Sequence, residues 1–288
     1  MRVLILGSDT SLGVALIRRQ AMLGRHELVL MSCSACRWKS ERQAKKSIAR
    51  AKSETVVDLR LEIAGDGALP IQEVDLQRSH WVAKACHRTN ATYLYVSSSG
   101  VFSGELQRPY LEEDSPDSDE VAGRLLARAE QVAADVCLRH LILRLGPVFS
   151  NQGTNLITRL LGLLREGASV VLDNNLRGCP VAADDGARVL LAVLDQLGTG
   201  LEAWGIYHYC SADTATYYEF AEALLASASQ FSEFSAAAVQ LEYQTDGVRP
   251  LNRTLDCSKI RNTFAVRQIP WRSAIGDVVK HYYEQQQG

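Results

Sequence analysis

The sequence has little net charge and no long apolar run. Its 288 residues carry 31 basic and 33 acidic side chains, and this formal net charge of −2 does not favour nucleic acid or another polyanion as a partner. No apolar stretch approaches the roughly 20 residues that a membrane-spanning helix requires. The opening MRVLILGSD also lacks the long apolar core and cleavage site of a secretory signal. These absences predict a cytoplasmic protein without a membrane partner.

Cysteine is scarce and scattered. The seven cysteines are an odd number, which argues against a disulfide framework and fits a reducing cytoplasm. Cys33 and Cys36 form a single CxxC, but a zinc site needs a second pair or suitably spaced histidines, and no such set is visible. We therefore predict no metal site and interpret these two cysteines as free thiols near a loop.

The amino terminus has the pattern of a strand, a glycine turn and a helix. Arg2–Leu6 is β-rich, and the turn that follows runs from Gly7 to Gly13. Glycines at such a turn let backbone N–H groups approach a pyrophosphate at the helix N-terminus. The alternative is an ordinary strand-to-helix turn that holds no ligand.

The second strand, His26–Met31, ends without the acidic residue that an NAD site places on the ribose hydroxyls. Ser32 follows it, with Arg37 and Lys39 close by. This pattern favours NADPH over NADH, because an arginine can bind a 2′-phosphate. The alternative is that Arg37 belongs to the solvated face of a surface helix. NADP(H) is thus the expected cofactor, with NAD(H) or no cofactor as the alternatives.

Residues 93–130 carry most of the information on function. Tyr93–Val96 predicts a buried strand, and Ser97, Ser98 and Ser99 follow at its carboxyl end, where open α/β sheets bind ligands. A loop containing glycine and proline then leads to a helix that is rich in Ala, Leu and Arg from about residue 120. This strand end is the predicted centre of the site.

This segment resembles the dTDP-4-dehydrorhamnose reductase family of extended short-chain dehydrogenase/reductases. That family carries Ser-Thr-Asp-Tyr-Val-Phe-Asp-Gly, then Pro-Tyr-x-Glu-x-Asp-x-Pro, and a helix that opens with Tyr-Gly-x-x-Lys. Here the first two motifs stand as SSSGVFSG at 97–104 and PYLEEDSP at 109–116. The resemblance spans nearly the whole chain and is strong in the C-terminal half, where RPLNRTLDCSK at 249–259 matches Arg-Pro-x-Asn-x-x-Leu-Asp-x-Ser-Lys.

The helix opening departs from the family where chemistry is done. Ala122 stands where the family places its catalytic Tyr, and Leu126 stands where it places its Lys. A carbonyl that is reduced by hydride must receive a proton on oxygen, and a Tyr with a Lys four residues on can donate it. None of the ten tyrosines has a lysine at that spacing. Ser98 alone keeps a polar group there, and an unperturbed hydroxyl is a poor acid.

Two further departures lie in the cofactor half. Thr10 replaces the middle glycine of the family's Gly-x-x-Gly-x-x-Gly, and Arg60 falls in a segment that the family writes Asn-Ala-Ala-Ala, close to the cofactor. A bulky Arg60 would either clash with a bound dinucleotide or pair with its phosphates. The candidate cofactor-binding residues are Gly7, Thr10, Ser11, Leu12, Gly13, Ser32, Arg37, Arg60 and Ser97.

The resemblance also implies a nucleotide-sugar cleft. Asn155, Arg177 and Pro180 fall in motifs that border this cleft in the family, and Arg249 is expected to face a diphosphate, which an arginine fork suits. These four residues are the candidate substrate-binding residues.

The alternation of strands and helices predicts a doubly wound, Rossmann-like α/β fold with a parallel sheet and a smaller C-terminal α/β lobe. We expect a dinucleotide-binding domain at residues 1–149, to which 182–207 returns. Residues 150–181 and 208–288 would form the substrate-binding lobe.

Three functions are compatible with these residues. The first is a non-catalytic or regulatory relative that binds NADP(H), a nucleotide sugar or a protein partner. The second is a working NADPH-dependent reductase of a 4-keto nucleotide sugar, in which Ser98 or water supplies the proton. The third is a protein-interaction module that binds no small molecule. A homodimer is compatible with each of them.

Overall fold

The computed structural model describes residues 1–61, 71–167, 169–172, 174–234, 238–241 and 250–287. Arg249, one of the predicted substrate-binding residues, lies outside this described part of the chain.

Six parallel strands form the central sheet. They are β1 (Arg2–Leu6), β2 (Glu27–Met31), β3 (Thr55–Asp58), β4 (Thr92–Ser98), β5 (His140–Leu145) and β10 (Gly205–Tyr209). Their order across the sheet is β2–β1–β3–β4–β5–β10. Strands β3 and β4 are buried along their whole length, as expected for a parallel sheet that is covered on both faces. Because the chain runs from β1 out to β2 and then back to β3, the topological switch point lies between β1 and β3.

The described helices are α1 (Ser11–Leu23), α2 (Glu41–Ala51), α3 (Glu73–Thr89), α4 (Val121–Val136), α5 (Leu156–Arg165), α6 (Ala183–Gly198), α7 (Tyr217–Ala228), α8 (Ser258–Phe264) and α9 (Arg272–Gln287). Two groups of these helices cover the sheet. Helix α1 packs on α6, while α2, α3 and α4 pack in a row. The chain reverses direction across the sheet after β2, so right-handed crossovers put α1 on one face and α2, α3 and α4 on the other. Helix α6 lies on the face of α1, because the two helices pack together. The predicted doubly wound fold is confirmed. None of the described helices is both long and apolar enough to cross a bilayer.

Shorter strands pair outside the central sheet. Strand β6 (Val148–Phe149) pairs with β9 (Val181–Ala182), and β7 (Val170–Leu172) pairs with β12 (Val239–Leu241). Strand β8 (Leu176–Gly178) lies between β11 (Ala215–Thr216) and β13 (Leu251–Asn252).

The buried apolar residues form two cores. The larger core lies around the central sheet, and residues between Leu255 and Val266 pack into it. The smaller core surrounds the rings of Phe149, Phe220 and Trp271, in which Phe220 lies 5.3 Å from Phe149 and 4.9 Å from Trp271 between ring centroids. The division of the chain into two domains at the predicted boundaries stays a prediction.

A buried polar cluster ties α4 to the sheet. The guanidinium of Arg144 on β5 donates to both carboxylate oxygens of Glu130 on α4, with Nη2 to Oε2 at 2.7 Å and Nε to Oε1 at 3.0 Å. Both side chains are almost completely buried. A buried charge without a partner is costly, so this ion pair fixes where α4 lies over β5.

His208 on β10 completes the cluster. Its Nδ1 lies 3.1 Å from the carbonyl oxygen of Tyr110 and its Nε2 lies 3.2 Å from Arg144 Nη1. A carbonyl can only accept and a guanidinium can only donate, so His208 is neutral with the proton on Nδ1. Burial and the adjacent Arg144 lower the pKa of His208 to about 3. The residue is a satisfied structural histidine, as its place in a strand suggests.

This depressed pKa predicts acid sensitivity. An unfolded chain binds a proton at histidine below about pH 6.5, whereas folded His208 stays neutral down to about pH 3. Within that window the unfolded state holds more protons, so stability falls by up to about 1.4 kcal/mol for each pH unit of acidification. In urea unfolding at pH 6.5 and pH 5, His208→Asn should show a smaller loss of stability than the wild type. His87→Asn, on the exposed end of α3, is the control. If His208→Asn loses as much stability between pH 6.5 and pH 5 as the wild type, His208 is not a buried neutral histidine.

Candidate functional site

The carboxyl ends of β1, β3 and β4 meet at one edge of the sheet, beside the N-terminus of α1. The turn after β1 keeps the geometry that its two glycines require. Gly7 has a φ of +81°, and a Cβ on it would lie 3.0 Å from the backbone of Leu59 and Arg60. A Cβ on Gly13 would lie 2.5 Å from the carbonyl oxygen of Gly7. Both retained glycines therefore serve the close approach of the turn, the helix and β3.

Thr10 has taken a structural role in this turn. Its hydroxyl accepts from Gly13 N at 3.1 Å and donates to Gly7 O at 2.9 Å, and the residue is 2% exposed. Thr10 is thus the N-cap of α1. The hydroxyl occupies one of the N–H groups that a helix N-terminus can otherwise offer to an anion.

The next residues of the turn are also buried. The Ser11 hydroxyl donates to the carbonyl oxygen of Gln152 at 3.1 Å, so the segment after β6 lies against the start of α1. Leu12 is fully buried in the larger core. Among the residues from Gly7 to Gly13 only Ser8 and Asp9 are accessible, and the Asp9 carboxylate accepts from Cys33 N at 2.6 Å. The accessible charge of this turn is therefore negative.

The predicted Ser32 and Arg37 follow β2 at the same edge. The Ser32 hydroxyl lies 2.9 Å from that of Ser34, and Arg37 is exposed. Burial raises the pKa of the Cys33 and Cys36 thiols to about 12, so both stay protonated near neutral pH. All seven cysteines are free, and within the described ranges no group of three or more acidic, histidine or cysteine side chains is arranged to hold a metal ion.

The Arg60 side chain neither projects into the space for a dinucleotide nor is free to bind its phosphates, the two alternatives expected from the sequence. Its guanidinium turns inward and donates to both oxygens of Asp58, with Nε to Oδ1 at 2.8 Å and Nη2 to Oδ2 at 2.7 Å. It also donates to the Ser79 hydroxyl at 3.1 Å. Tyr93 donates its hydroxyl to Asp58 at 2.8 Å. The charge of Arg60 is neutralised in the interior, so the guanidinium is not presented to a ligand.

The serine side chains at the end of β4, the predicted centre of the site, are buried. The Ser98 hydroxyl accepts from Gly100 N at 3.1 Å and caps a short 3₁₀ turn, Ser99–Val101. Ser97 and Ser98 are buried, and the Ser97 hydroxyl lies without a hydrogen-bond partner among the described residues. Ser98 is therefore held in a turn rather than poised as an acid.

Helix α4 packs closely on that turn. A Cβ on Gly123 would lie 2.3 Å from the Gly100 carbonyl oxygen, so the helix start and the strand end are in direct contact. Ala122 is partly buried against the larger core, and Leu126, one turn later, is fully buried in it. The helix face nearest the strand end thus carries a methyl group and an isobutyl group at the two positions of interest.

The predicted substrate residues are placed around the smaller core. Asn155 caps α5: its Oδ1 accepts from Ile157 N at 3.0 Å and its Nδ2 donates to Gln152 O at 2.9 Å. Arg177 donates to Thr214 at 3.0 Å and to Glu219 at 2.9 Å. Both side chains are committed to partners within the chain, and neither role was predicted.

Pro180 lines a cavity of about 40 Å³ between the end of β4 and the smaller core. The lining residues are Ser99, Pro147, Leu156, Leu176, Gly178, Pro180, Ala215, Thr216, Tyr217, Phe220 and Arg253. Ligand pockets for larger molecules span roughly 300–1,000 Å³, so this cavity admits a small group rather than a whole nucleotide sugar. Arg253 was not predicted, although it lies inside the C-terminal motif that drew attention to Arg249.

A family model and a curated relative both match this chain over nearly its whole length. The family model for the RmlD substrate binding domain matches residues 1–284. The dTDP-4-dehydrorhamnose reductase of Aggregatibacter actinomycetemcomitans is 26% identical over 289 residues, covering 96% of this chain and 98% of that protein.

Solved structures agree in fold. A dTDP-4-dehydrorhamnose reductase from Clostridium acetobutylicum superposes with a TM-score of 0.80 at 17% identity, over 98% of this chain and 100% of the other. The enzyme of the same name from Bacillus anthracis, in complex with NADP, gives a TM-score of 0.77 at 16% identity, over 97% and 98% of the two chains.

The inward ion pair of Arg60 gives a stability prediction. Arg60→Met leaves the Asp58 carboxylate buried without its cation, which should lower the free energy of unfolding by about 3–5 kcal/mol. Asp58→Asn combined with Arg60→Met should recover part of that loss, because the uncompensated charge is gone. Urea unfolding at pH 7 measures both. The control Arg37→Met, at an exposed arginine of the same edge, should change stability by less than about 0.5 kcal/mol. A stable Arg60→Met protein would show that the guanidinium is not held inside.

Proposed function

The chain belongs to the dTDP-4-dehydrorhamnose reductase (RmlD) family, and from this premise we propose that it is a non-catalytic relative. It binds NADP(H), a nucleotide sugar or both, and does not reduce the sugar. The observation that carries the proposal is the pair Ala122 and Leu126 on α4, packed where the family's motif has Tyr and Lys.

The chemistry of carbonyl reduction explains why Ala122 and Leu126 matter. Hydride delivery to a carbonyl carbon leaves negative charge on oxygen, and a positioned acid must neutralise it. Neither an Ala nor a Leu side chain holds a proton that can be transferred. Ser98 accepts a hydrogen bond from Gly100 N within a 3₁₀ turn, and an ordinary hydroxyl is a poor acid. Removing one general acid costs about 10²–10⁴-fold in rate, so turnover is expected to be slight.

Nucleotide binding is supported by what the fold retains. The glycine turn after β1 and the switch point between β1 and β3 are both present, and this is where doubly wound folds hold dinucleotides. NADP is the ligand of the Bacillus anthracis relative, and exposed Arg37 beyond β2 suits a 2′-phosphate.

Ligand binding and turnover can be separated in solution. Thermal-shift titrations with NADPH, NADH and dTDP should raise the melting temperature, because a ligand that binds the folded state stabilises it by mass action. The larger shift is expected with NADPH. NADPH oxidation should then be slight at most when dTDP-4-dehydrorhamnose is added. A lack of any shift would favour an interaction module without a small-molecule ligand, and brisk NADPH oxidation would refute the proposal.

Restoring the missing pair is the sharper test. Ala122→Tyr with Leu126→Lys should produce NADPH oxidation that the wild type lacks, because a proton donor and the cation that lowers its pKa return to one helix face. The matched control is Ala122→Phe with Leu126→Lys, which has the same bulk and buried charge but no hydroxyl.

Melting temperatures of both double variants must be measured, since Leu126 is 0% exposed and Lys is costly there. If both variants fold, bind NADPH and stay inactive, the missing Tyr and Lys are not what silences the site. Equal activity in the two variants would show that the tyrosine hydroxyl is not the proton donor.

A further inference from the structure

Arg253 is a largely buried cation that the proposed function does not use. It follows β13 and lines the cavity of about 40 Å³ together with Ser99. Its side chain is 15% exposed, and its Nη2 donates to the carboxylate of Glu120 at the start of α4. Its Nε is buried and has no hydrogen-bond partner among the described residues. A buried N–H of a guanidinium without an acceptor is unusual, because burial removes the water that would otherwise satisfy it.

The orientation of this guanidinium is fixed by its neighbours. Arg253 N donates to the carbonyl oxygen of Arg177 at 2.7 Å, which holds its backbone against β8. Gly104, at a φ of +95°, lies against its stem, since a Cβ on Gly104 would be 3.3 Å from Arg253 Cγ. The arginine is therefore preorganised, and an acceptor that binds Nε does not have to order the side chain first.

Of the two neighbouring donors of Arg253, Nε and Nη2, only Nη2 has an acceptor among the described residues. Nε and Nη2 form the edge of a guanidinium that binds a carboxylate with two parallel hydrogen bonds. Arg60 uses this edge on both oxygens of Asp58, at 2.8 and 2.7 Å. In Arg253 the Nη2 has Glu120, whose side chain is 59% exposed, while Nε has no partner. An exposed ion pair is weak, so a second acceptor can compete for Nη2 while it takes Nε.

The cavity leaves room for a small acceptor, and none of the described residues that line it is acidic. The family's motif carries Asp and Tyr at the two positions where Ser99 and Gly100 stand, and it leaves position 253 unspecified. This chain therefore replaces a carboxylate by a hydroxyl at the strand end and places a guanidinium on the same cavity. Gly178 also lines the cavity, and a Cβ on it would meet nothing within 4 Å.

We propose that Arg253 and Ser99 form a subsite for an oxyanion of the bound ligand. The oxyanion is either a carboxylate on the sugar or a phosphate of the nucleotide, and it takes Arg253 Nε in competition with Glu120. This inference rests on the proposed binding of a nucleotide sugar.

Isothermal titration with dTDP-glucose and dTDP-glucuronate tests the subsite, since the two ligands differ only in a hydroxymethyl or carboxylate group on the sugar. Arg253→Gln keeps a polar side chain of similar reach but removes the charge, and it should weaken binding by roughly 10- to 100-fold. If the sugar carboxylate is bound, the wild type prefers dTDP-glucuronate and Arg253→Gln abolishes the preference. If a phosphate is bound, Arg253→Gln weakens both ligands equally.

Glu120→Gln provides a test in the opposite direction. It removes the competitor from Nη2 and should tighten binding several-fold, whereas Glu113→Gln makes the same charge change at an exposed residue of the preceding loop and should have no effect. Binding of both ligands that is unchanged in Arg253→Gln, with the melting temperature preserved, overturns the subsite and leaves the proposed function intact. Binding of neither ligand to the wild type overturns the subsite and the nucleotide-sugar part of the proposed function, whereas NADP(H) binding is tested separately by the thermal-shift titration.

Discussion

The buried ion pair between Arg144 and Glu130 is the contact on which the geometry of the site depends. It joins α4 to β5, the strand next to one edge of the sheet, and His208 extends it to the edge strand β10. Because an unpaired charge in the interior is so unfavourable, α4 can neither slide nor rotate without breaking the pair. The start of the same helix is pressed against the turn after β4 through Gly123. The side chains at 122 and 126 are therefore placed by the scaffold, whatever their chemistry.

The need to pair buried charges and polar groups also accounts for Arg60 and Thr10, the two departures from the family in the cofactor half. Arg60 introduces a cation beneath the glycine turn, and Asp58 neutralises it within the interior. Thr10 similarly takes up an N–H of α1, and the accessible side-chain charge left at the turn is the carboxylate of Asp9. Each changed residue has a hydrogen-bond partner within the chain. Arg60 therefore adds no free cation at the turn where a pyrophosphate would approach, and Thr10 uses one of the N–H groups there.

The fold could be predicted from the sequence because apolar strands and amphipathic helices alternate with regular spacing. The roles of single polar residues were harder, although some signals were present. Asp58 ends β3 and Arg60 follows in the turn two residues later, so an acid and a base stand close together in the sequence. Thr10 and Asn155 stand immediately before helices, where such residues usually act as caps. Arg253 carried no comparable signal, because its exposure depends on strands β8 and β13, which lie far apart in sequence.

The distribution of charge in the cleft connects these observations. The family's motif places a lysine on α4 at position 126, next to its proton-donating tyrosine, and an aspartate at position 99. This chain has Leu126 and Ser99 at those positions, and its largely buried cation, Arg253, lines the same cavity as Ser99. A lysine next to the proton donor serves proton transfer, whereas a cation on the cavity wall can attract and orient an anion. The change from the first arrangement to the second agrees with the proposed role in binding rather than in reduction, because it removes the cation that assists a proton donor and leaves one that can hold an anion.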